Sequence, residues 1–265
     1  QRFPSIDVAV TTNGAFLERD ASALSALRLH SVNVSLDTLH PQKFADITRT
    51  GELGTVLRGI RALVAKGGVS VKINTVVMRD FNLNEISGLV RFAKENDVLL
   101  RFIEFMPLDK DVWSNQQYVS ASEILSLLPD ALQWSPSPKS SVTTQNTSSA
   151  IPNGPAKYFR NAKTGQDIGI ISAVSDHFCH TCNRLRITST GEVRPCLFSN
   201  RGVAIIDALR RKDPDAARDG ILMAVKNKPH EGGTGIPEER QNPEDAPQKR
   251  TDLFQEERHM SRIGG

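Results

Sequence analysis

All three cysteines of the 265-residue chain fall within one short stretch. Cys179 and Cys182 are spaced C-x-x-C, and Cys196 follows after thirteen intervening residues. Small buried hydrophobes would scatter, so this clustering points to a shared chemical task. Three soft thiolates suit an iron–sulfur cluster or zinc, each of which normally takes four ligands. One reading is a 4Fe–4S cluster held by three irons, with the fourth iron open to a substrate or cofactor atom. A second is a structural zinc site completed by His177 or His180. A third, a C-x-x-C redox pair, fits poorly because the pair does not open a helix directly after a strand. Spacing alone leaves the first two standing.

The neighbouring residues add a constraint. Asn183, Arg184 and Arg186 follow Cys182 directly, and alternation along a strand would put both guanidiniums on one face. A structural zinc site gains nothing from that placement. A triphosphate does, because arginine forks give phosphate oxygens paired, charge-assisted hydrogen bonds. The plainer alternative is that the two arginines only balance thiolate charge.

The rest of the chain has to position these groups. Residues 6–11 read as a buried strand running into the turn Thr12-Asn13-Gly14. A helix is expected from about Asp20 to Leu29, a strand over 32–37, and a polar link through His40-Pro41. Leu53, Val56, Leu57, Ile60, Leu63 and Val64 have helical spacing, and Gly67-Gly68 stops that helix. A strand over 69–77, a helix over 84–95 and a strand over 99–105 complete a run of parallel β/α units. Such sheets place ligands at the carboxyl ends of their strands. Thr11, Thr12, Asn13, Ser35, Asp37, Lys72, Asn74, Arg101, Glu104 and Met106 are the polar or soft residues expected there. Charged residues on buried strands need a wet or paired surrounding, so as a set they read as a pocket.

After Asp109 the pattern changes. Ser120 and Glu123 form a capping box opening a short helix to Leu128. The 135–154 stretch, rich in Ser, Thr, Pro, Asn and Gln, reads as a flexible insertion. Tyr158-Phe159, 168–171 and 184–187 read as strands of a second region, and a short helix starts at Asp207. The expected organisation is thus 1–110 for the β/α units, 111–231 for the cysteine-bearing region, and 232–265 for a loose tail ending in Gly264-Gly265.

A net charge of +3 at pH 7 is too small to argue for nucleic acid as a main partner. No run of apolar residues is long enough to span a bilayer. An odd cysteine count with a C-x-x-C favours a reducing compartment. The first residues lack an initiating Met and have no signal or transit character, so the chain is expected to begin partway into a longer protein.

Cys179-His180-Thr181-Cys182-Asn183-Arg184-Leu185-Arg186 followed by Cys196-Leu197-Phe198 resembles the carboxyl-terminal cluster motif of the GTP 3',8-cyclases of molybdenum cofactor biosynthesis, which are radical S-adenosylmethionine enzymes. Thr11-Thr12-Asn13-Gly14, Val34-Ser35-Leu36-Asp37, Lys72-Ile73-Asn74, Phe105-Met106-Pro107 and Gly264-Gly265 agree in the same order. The resemblance implies an α/β fold, a partial (β/α)6 radical-SAM-type barrel with its first two units missing and a carboxyl-terminal iron–sulfur region. It implies two 4Fe–4S clusters in the complete enzyme: one cleaves S-adenosylmethionine to a radical that abstracts the 3' hydrogen of GTP, and an auxiliary one binds the guanine through its open iron. The product would be (8S)-3',8-cyclo-7,8-dihydroguanosine 5'-triphosphate, passed on to cyclic pyranopterin monophosphate synthase. By position, Cys179, Cys182 and Cys196 would ligate the auxiliary cluster. Arg184, Arg186, Thr11 and Lys72 would hold GTP, and Ser35 and Met106 would touch S-adenosylmethionine. Gly264 and Gly265, together with Arg184 and Arg186, would act in the catalytic centre. The family further implies a homodimer, and a mitochondrial location in a eukaryote or a cytoplasmic one in a bacterium. The family's C-x-x-x-C-x-x-C motif is absent from this sequence, so the 265-residue chain by itself is expected to be inactive. The reading from a different class is a non-catalytic Cys3His zinc module.

Overall fold

The computed structural model describes residues 6–108, 112–142 and 154–229. Gly264 and Gly265, most of the expected insertion and the expected tail lie outside them. Contacts divide the chain into two compact units, one of residues 1–105 with 115–176, the other of 106–114 with 177–265.

The first unit runs β1 (Ala9–Thr12), α1 (Leu17–Ala26), β2 (Ser31–Ser35), α2 (Pro41–Thr48), α3 (Leu53–Lys66), β3 (Ser70–Val77), α4 (Ile86–Glu95), β4 (Leu99–Glu104), α5 (Ala121–Ser126), β5 (Trp134–Ser137), β6 (Lys157–Asn161) and β7 (Asp167–Ile171). Its seven-stranded sheet has the order β1-β2-β3-β4-β7-β6-β5. The first five strands in that order are parallel, and β6 and β5 are antiparallel additions. The fold is mixed α/β with a sheet dominated by parallel strands, as expected.

The sequence forces the two faces of this sheet apart. Val32, Val34, Ile73, Leu100, Phe102 and Ile168 are fully or almost fully buried on one face. The helices cover that side: α3 contributes Val56, Ile60 and Leu63 at three- and four-residue spacing. Burying each of the two larger ones stabilises the fold by about 2 kcal/mol. The helix ends where Gly67 takes φ +67°, a backbone conformation open mainly to glycine, and its N–H returns to the Val64 carbonyl at 3.0 Å. Gly59 lets α3 lie against α1, since a Cβ there would come within 2.9 Å of the Glu18 backbone nitrogen. The opposite face of the sheet carries the polar residues.

Several boundaries differ from the sequence reading. Strands β6 and β7, expected in a second region, extend the first sheet, because β7 pairs with β4 in parallel register. Residues expected to form a polar link after His40 form α2, started by Pro41 at the first helical position. The start of the expected insertion is β5, held by pairing with β6. Pro136 is tolerated there because β5 is an edge strand. The other edge is β1, which is half exposed.

The second unit contains β8 (Arg186–Ile187), β9 (Glu192–Arg194), β10 (Val203–Ala204), α6 (Ile206–Arg210) and α7 (Pro214–Lys226). The three strands form a small antiparallel sheet. Its buried core is Val193, Ile205 and Ala224. Helix α7 escaped the sequence reading because its core face is built from small residues. Its start signal is nevertheless clear: the Asp213 side chain accepts from the Ala216 N–H at 2.9 Å, and Pro214 sits at the first helical position.

Candidate functional site

Parallel register turns the polar residues of the first unit into two cross-strand rows. Thr11, Asn33 and Lys72 are neighbours across β1, β2 and β3. Ser35, Asn74, Arg101, Gly169 and Tyr158 are neighbours across β2, β3, β4, β7 and β6. All point to the face away from the helices.

Arg101 organises this face. Its Nε donates to Asn74 Oδ1 at 2.9 Å and its terminal nitrogen to Asn33 Oδ1 at 2.7 Å. Tyr158 lies near enough to act on its charge. Asn33 in turn donates to the Val10 carbonyl at 3.2 Å. Gly169 gives the guanidinium its passage, since a Cβ there would lie 3.0 Å from Arg101 Cγ and 3.1 Å from Tyr158 Cε1. Lys72 lies beside this arrangement and is only 3% exposed. Burial, and then the Arg101 charge, push its ammonium down to about 8. Among the described residues neither Lys72 nor Arg101 pairs with a carboxylate. A buried ammonium beside a guanidinium held only by neutral groups is an electrostatic deficit that an anion would fill.

The strand ends are held by a separate network. Asp37 Oδ1 accepts from the Val76 N–H at 2.8 Å, and the buried Asn82 amide donates to the carbonyls of Asp37 and Val76 at 2.7 and 2.8 Å. Burial raises Asp37 to about 6, partly offset by the Val76 hydrogen bond. Ser35 and Thr11 are exposed at their strand ends. Beyond Thr11, Thr12 and Asn13 side chains accept from the N–H groups of Gly14 and Ala15, both at 3.1 Å, which fixes the turn.

Glu104 departs from the expectation that it lines the pocket. It is fully buried on the helix side and accepts from Ala121 N–H at 2.7 Å, Val174 N–H at 2.8 Å, Ser175 N–H at 2.9 Å, the Ser175 hydroxyl and Tyr118. Its acceptors are consumed within the protein, so it is a structural staple.

In the second unit Cys179 begins a single 3-10 turn, and the Cys182 N–H returns to the Cys179 carbonyl at 3.1 Å. Cys196 follows β9, and all three cysteines are half-buried and unpaired in disulfides. The Cys182 thiol is held below its ordinary value: burial opposes ionisation, but the Arg184 N–H and guanidinium and the Arg184 and Lys228 charges outweigh it. Burial and the nearby Arg184 lower Arg186, while Cys196 and Cys182 act in the opposite sense. The Arg184 guanidinium lies 4.8 Å from the centre of the Phe178 ring. Lys228 donates to the Arg184 and Pro195 carbonyls, each at 2.8 Å. The structure thus gathers Cys182, Cys196, Arg184 and Arg186, and adds Lys228. Among the described residues no three Cys, His, Asp or Glu side chains converge to hold one metal ion. The donor set itself suits an iron–sulfur cluster: three soft thiols outside any disulfide, with Arg184, Arg186 and Lys228 close to Cys182 or its chain segment. Met106 is half-buried in this unit.

Lys72 was legible as a charge on a strand. Asn33, Tyr158 and Lys228 were not, since each looks ordinary until strand pairing or chain reversal brings it to a charged neighbour.

Comparison with known proteins finds relatives for both parts of the chain. Residues 98–233 match the Molybdenum Cofactor Synthesis C family and residues 2–93 the Radical SAM superfamily. The chain is 35% identical over 224 residues to a GTP 3',8-cyclase of Alkaliphilus oremlandii, covering 84% of this chain and 65% of that protein. It is 38% identical over 226 residues to one from Moorella thermoacetica, covering 85% and 67%. With one from Limosilactobacillus fermentum it shares 33% identity over 266 residues, covering 98% and 72%. The matched chain spans about two thirds of the length of these curated relatives. Matches of this extent on both the β/α part and the cysteine-bearing part show that the chain belongs to the GTP 3',8-cyclase family of molybdenum cofactor synthesis.

Proposed function

We propose that this chain supplies the nucleotide-binding sheet and the auxiliary-cluster unit of a GTP 3',8-cyclase. The reaction is the first step of molybdenum cofactor biosynthesis, the S-adenosylmethionine-dependent radical cyclisation of GTP to (8S)-3',8-cyclo-7,8-dihydroguanosine 5'-triphosphate. The observation that carries this reading is the pair Lys72 and Arg101: a buried ammonium beside a guanidinium held by neutral amides, neither with a carboxylate partner among the described residues.

In this reading the parallel strands are part of a (β/α)6 barrel. Lys72 and Arg101 neutralise phosphate charge, and Thr11 adds a hydroxyl from the neighbouring strand. Asn33 and Asn74 keep the Arg101 guanidinium aimed across the sheet, so little of its motion is left to lose when an anion binds. Arg184 and Arg186 are a phosphate-binding set within their own unit. Ser35 and Met106 contact S-adenosylmethionine. Gly264 and Gly265 belong to the catalytic centre and lie outside the described residues. Cys179, Cys182 and Cys196 would hold a 4Fe–4S cluster, which would supply a Lewis-acid position for the purine. The sequence has no further cysteine, so the thiolates for a second cluster are not among its residues. The product passes to the enzyme that makes cyclic pyranopterin monophosphate.

Calorimetric titration of the chain with GTP tests the central observation. Binding should weaken at least about tenfold in Lys72→Met and in Arg101→Met, as expected for loss of one charge-assisted phosphate contact. Guanosine, which has no phosphates, should not discriminate between wild type and variants. Equal GTP affinity in all three proteins would overturn the assignment.

A further inference from the structure

We propose that Lys228 is a positioning residue for the cysteine site, strapping the two chain segments that carry Cys182 and Cys196 and fixing a positive charge beside their thiols. This rests on the reading that the cysteines take an iron–sulfur cluster.

Three observations carry it. Lys228 lies just beyond the end of α7, where its own N–H donates to the Val225 carbonyl at 3.1 Å. Its ammonium donates at 2.8 Å to two carbonyls that are distant in sequence: Arg184, two residues after Cys182, and Pro195, immediately before Cys196. Among the described residues it has no carboxylate partner, so its charge stays with the two carbonyls it bridges.

These contacts separate Lys228 from a solvated lysine at a helix end. An ammonium has three donors, and two are spent on backbone. Cys182 precedes β8 and Cys196 follows β9, a pair of strands too short to fix their spacing alone. A bridge between residues 184 and 195 sets that spacing from outside the pair. The roles of the three nearby cations also divide. Arg184 and Arg186 sit on long side chains of the ligand segment and can turn toward phosphate. The Lys228 charge is tied to carbonyls and stays with the thiolates whatever the nucleotide does. Groups that orient metal ligands from outside the ligand set matter nearly as much as the ligands.

The test uses the full chain, reconstituted anaerobically with iron and sulfide, as wild type, Lys228→Met, Lys228→Gln and Lys228→Arg. Readouts are iron per chain, the charge-transfer absorption, the rate at which a chelator bleaches it, and the cluster midpoint potential. Loss of the strap and charge in Lys228→Met should speed bleaching about tenfold. It should also move the potential to more negative values, because the extra electron of the reduced state loses a favourable charge. Lys228→Gln keeps a donor without the charge and should show the potential shift with slower bleaching than the methionine variant. Lys228→Arg should restore both properties. Wild-type bleaching and potential in the methionine and glutamine variants would overturn the lysine proposal while leaving the cluster reading intact. Failure of the wild type itself to take up iron would overturn both. Should Lys228→Met fail to fold by circular dichroism, the glutamine and arginine variants decide: the same potential in both removes the charge role.

Discussion

The polar face of the large sheet and the cysteine loop of the second unit both gather charge, but by opposite means. On the sheet, strand alternation and parallel register do the placing. Arg101 reaches Asn33 although 68 positions separate them in the chain. Each backbone there is locked between hydrogen-bonded neighbours over a core that includes Phe102, Leu100 and Ile73. The cysteine loop has strands of two or three residues and a core of Val193, Ile205 and Ala224. Its groups are placed one at a time, by a 3-10 turn, by the stacking of Arg184 on Phe178, and by side-chain donors to carbonyls. The sheet is therefore organised before anything binds. The loop has fewer internal constraints, so under the proposed cluster reading a bound metal group would add to its folding energy.

The sharpest test of this contrast is to disable each region and measure the other. Cys182→Ser should abolish iron uptake during anaerobic reconstitution and leave the GTP affinity of the iron-free chain unchanged. Lys72→Met should do the reverse. Joint loss in either variant would show that the two regions are not independently organised. Next in size is Glu104→Gln. Glu104 receives only donors, so the new amide group must face another N–H or O–H. A cost of about 3 kcal/mol in urea unfolding is expected, with little change in the iron content of the folded protein. A cost near zero would mean that the staple is dispensable.

Protonation separates the regions further. The free Lys72 ammonium ionises near pH 8, and a bound phosphate favours its charged form. GTP affinity should therefore be constant below about pH 7 and fall by up to tenfold per unit as pH rises through 8, until the ionisation point of the bound form is passed. Lys72→Met should flatten that profile. The smallest effect expected is at Asp37, whose folded value of about 6 lies above the ordinary carboxylate range. A raised value means that the folded state binds the proton more tightly than the unfolded chain. The stabilisation is complete below pH 4 and is lost as pH rises through 6. Asp37→Asn keeps the acceptor for Val76 and removes this loss. It should stabilise the protein at pH 7 and leave it unchanged at pH 4, as read from urea midpoints at the two values.

The same contrast explains what the sequence disclosed. The α3 spacing from Leu53 to Lys66, the Gly67 stop and the strands from 70 to 104 could be read because each is coded locally, by period and by turn residues. That Lys72 and Arg101 belong together also followed from placing them on successive parallel strands. The cysteines announced themselves by spacing. Strand β7 could not be assigned to the first sheet, because its partner β4 is more than sixty positions away and nothing local names a partner. Strand β5 was hidden by composition: Ser-Pro-Ser carries no apolar signal, and its stability comes from backbone pairing with β6. Helix α7 was hidden by small residues that pack as well as large ones in a shallow core. Lys228 lay beyond it and looked like any lysine at the end of a helix.

The two rims of the large sheet are chemically unequal, and this gives the sheet a direction. A proline in a strand turns its missing donor away from its paired neighbour, so Pro136 leaves the β5 rim without a hydrogen to offer there. The β1 rim, from Ala9 to Thr12, contains no proline, and among the described residues no strand pairs with its outward amides and carbonyls. A further strand, from this chain or another, would find a full ladder of partners only along β1. Extension of the sheet is thus one-sided, and it proceeds next to Thr11, on the side where the row of Thr11, Asn33 and Lys72 begins.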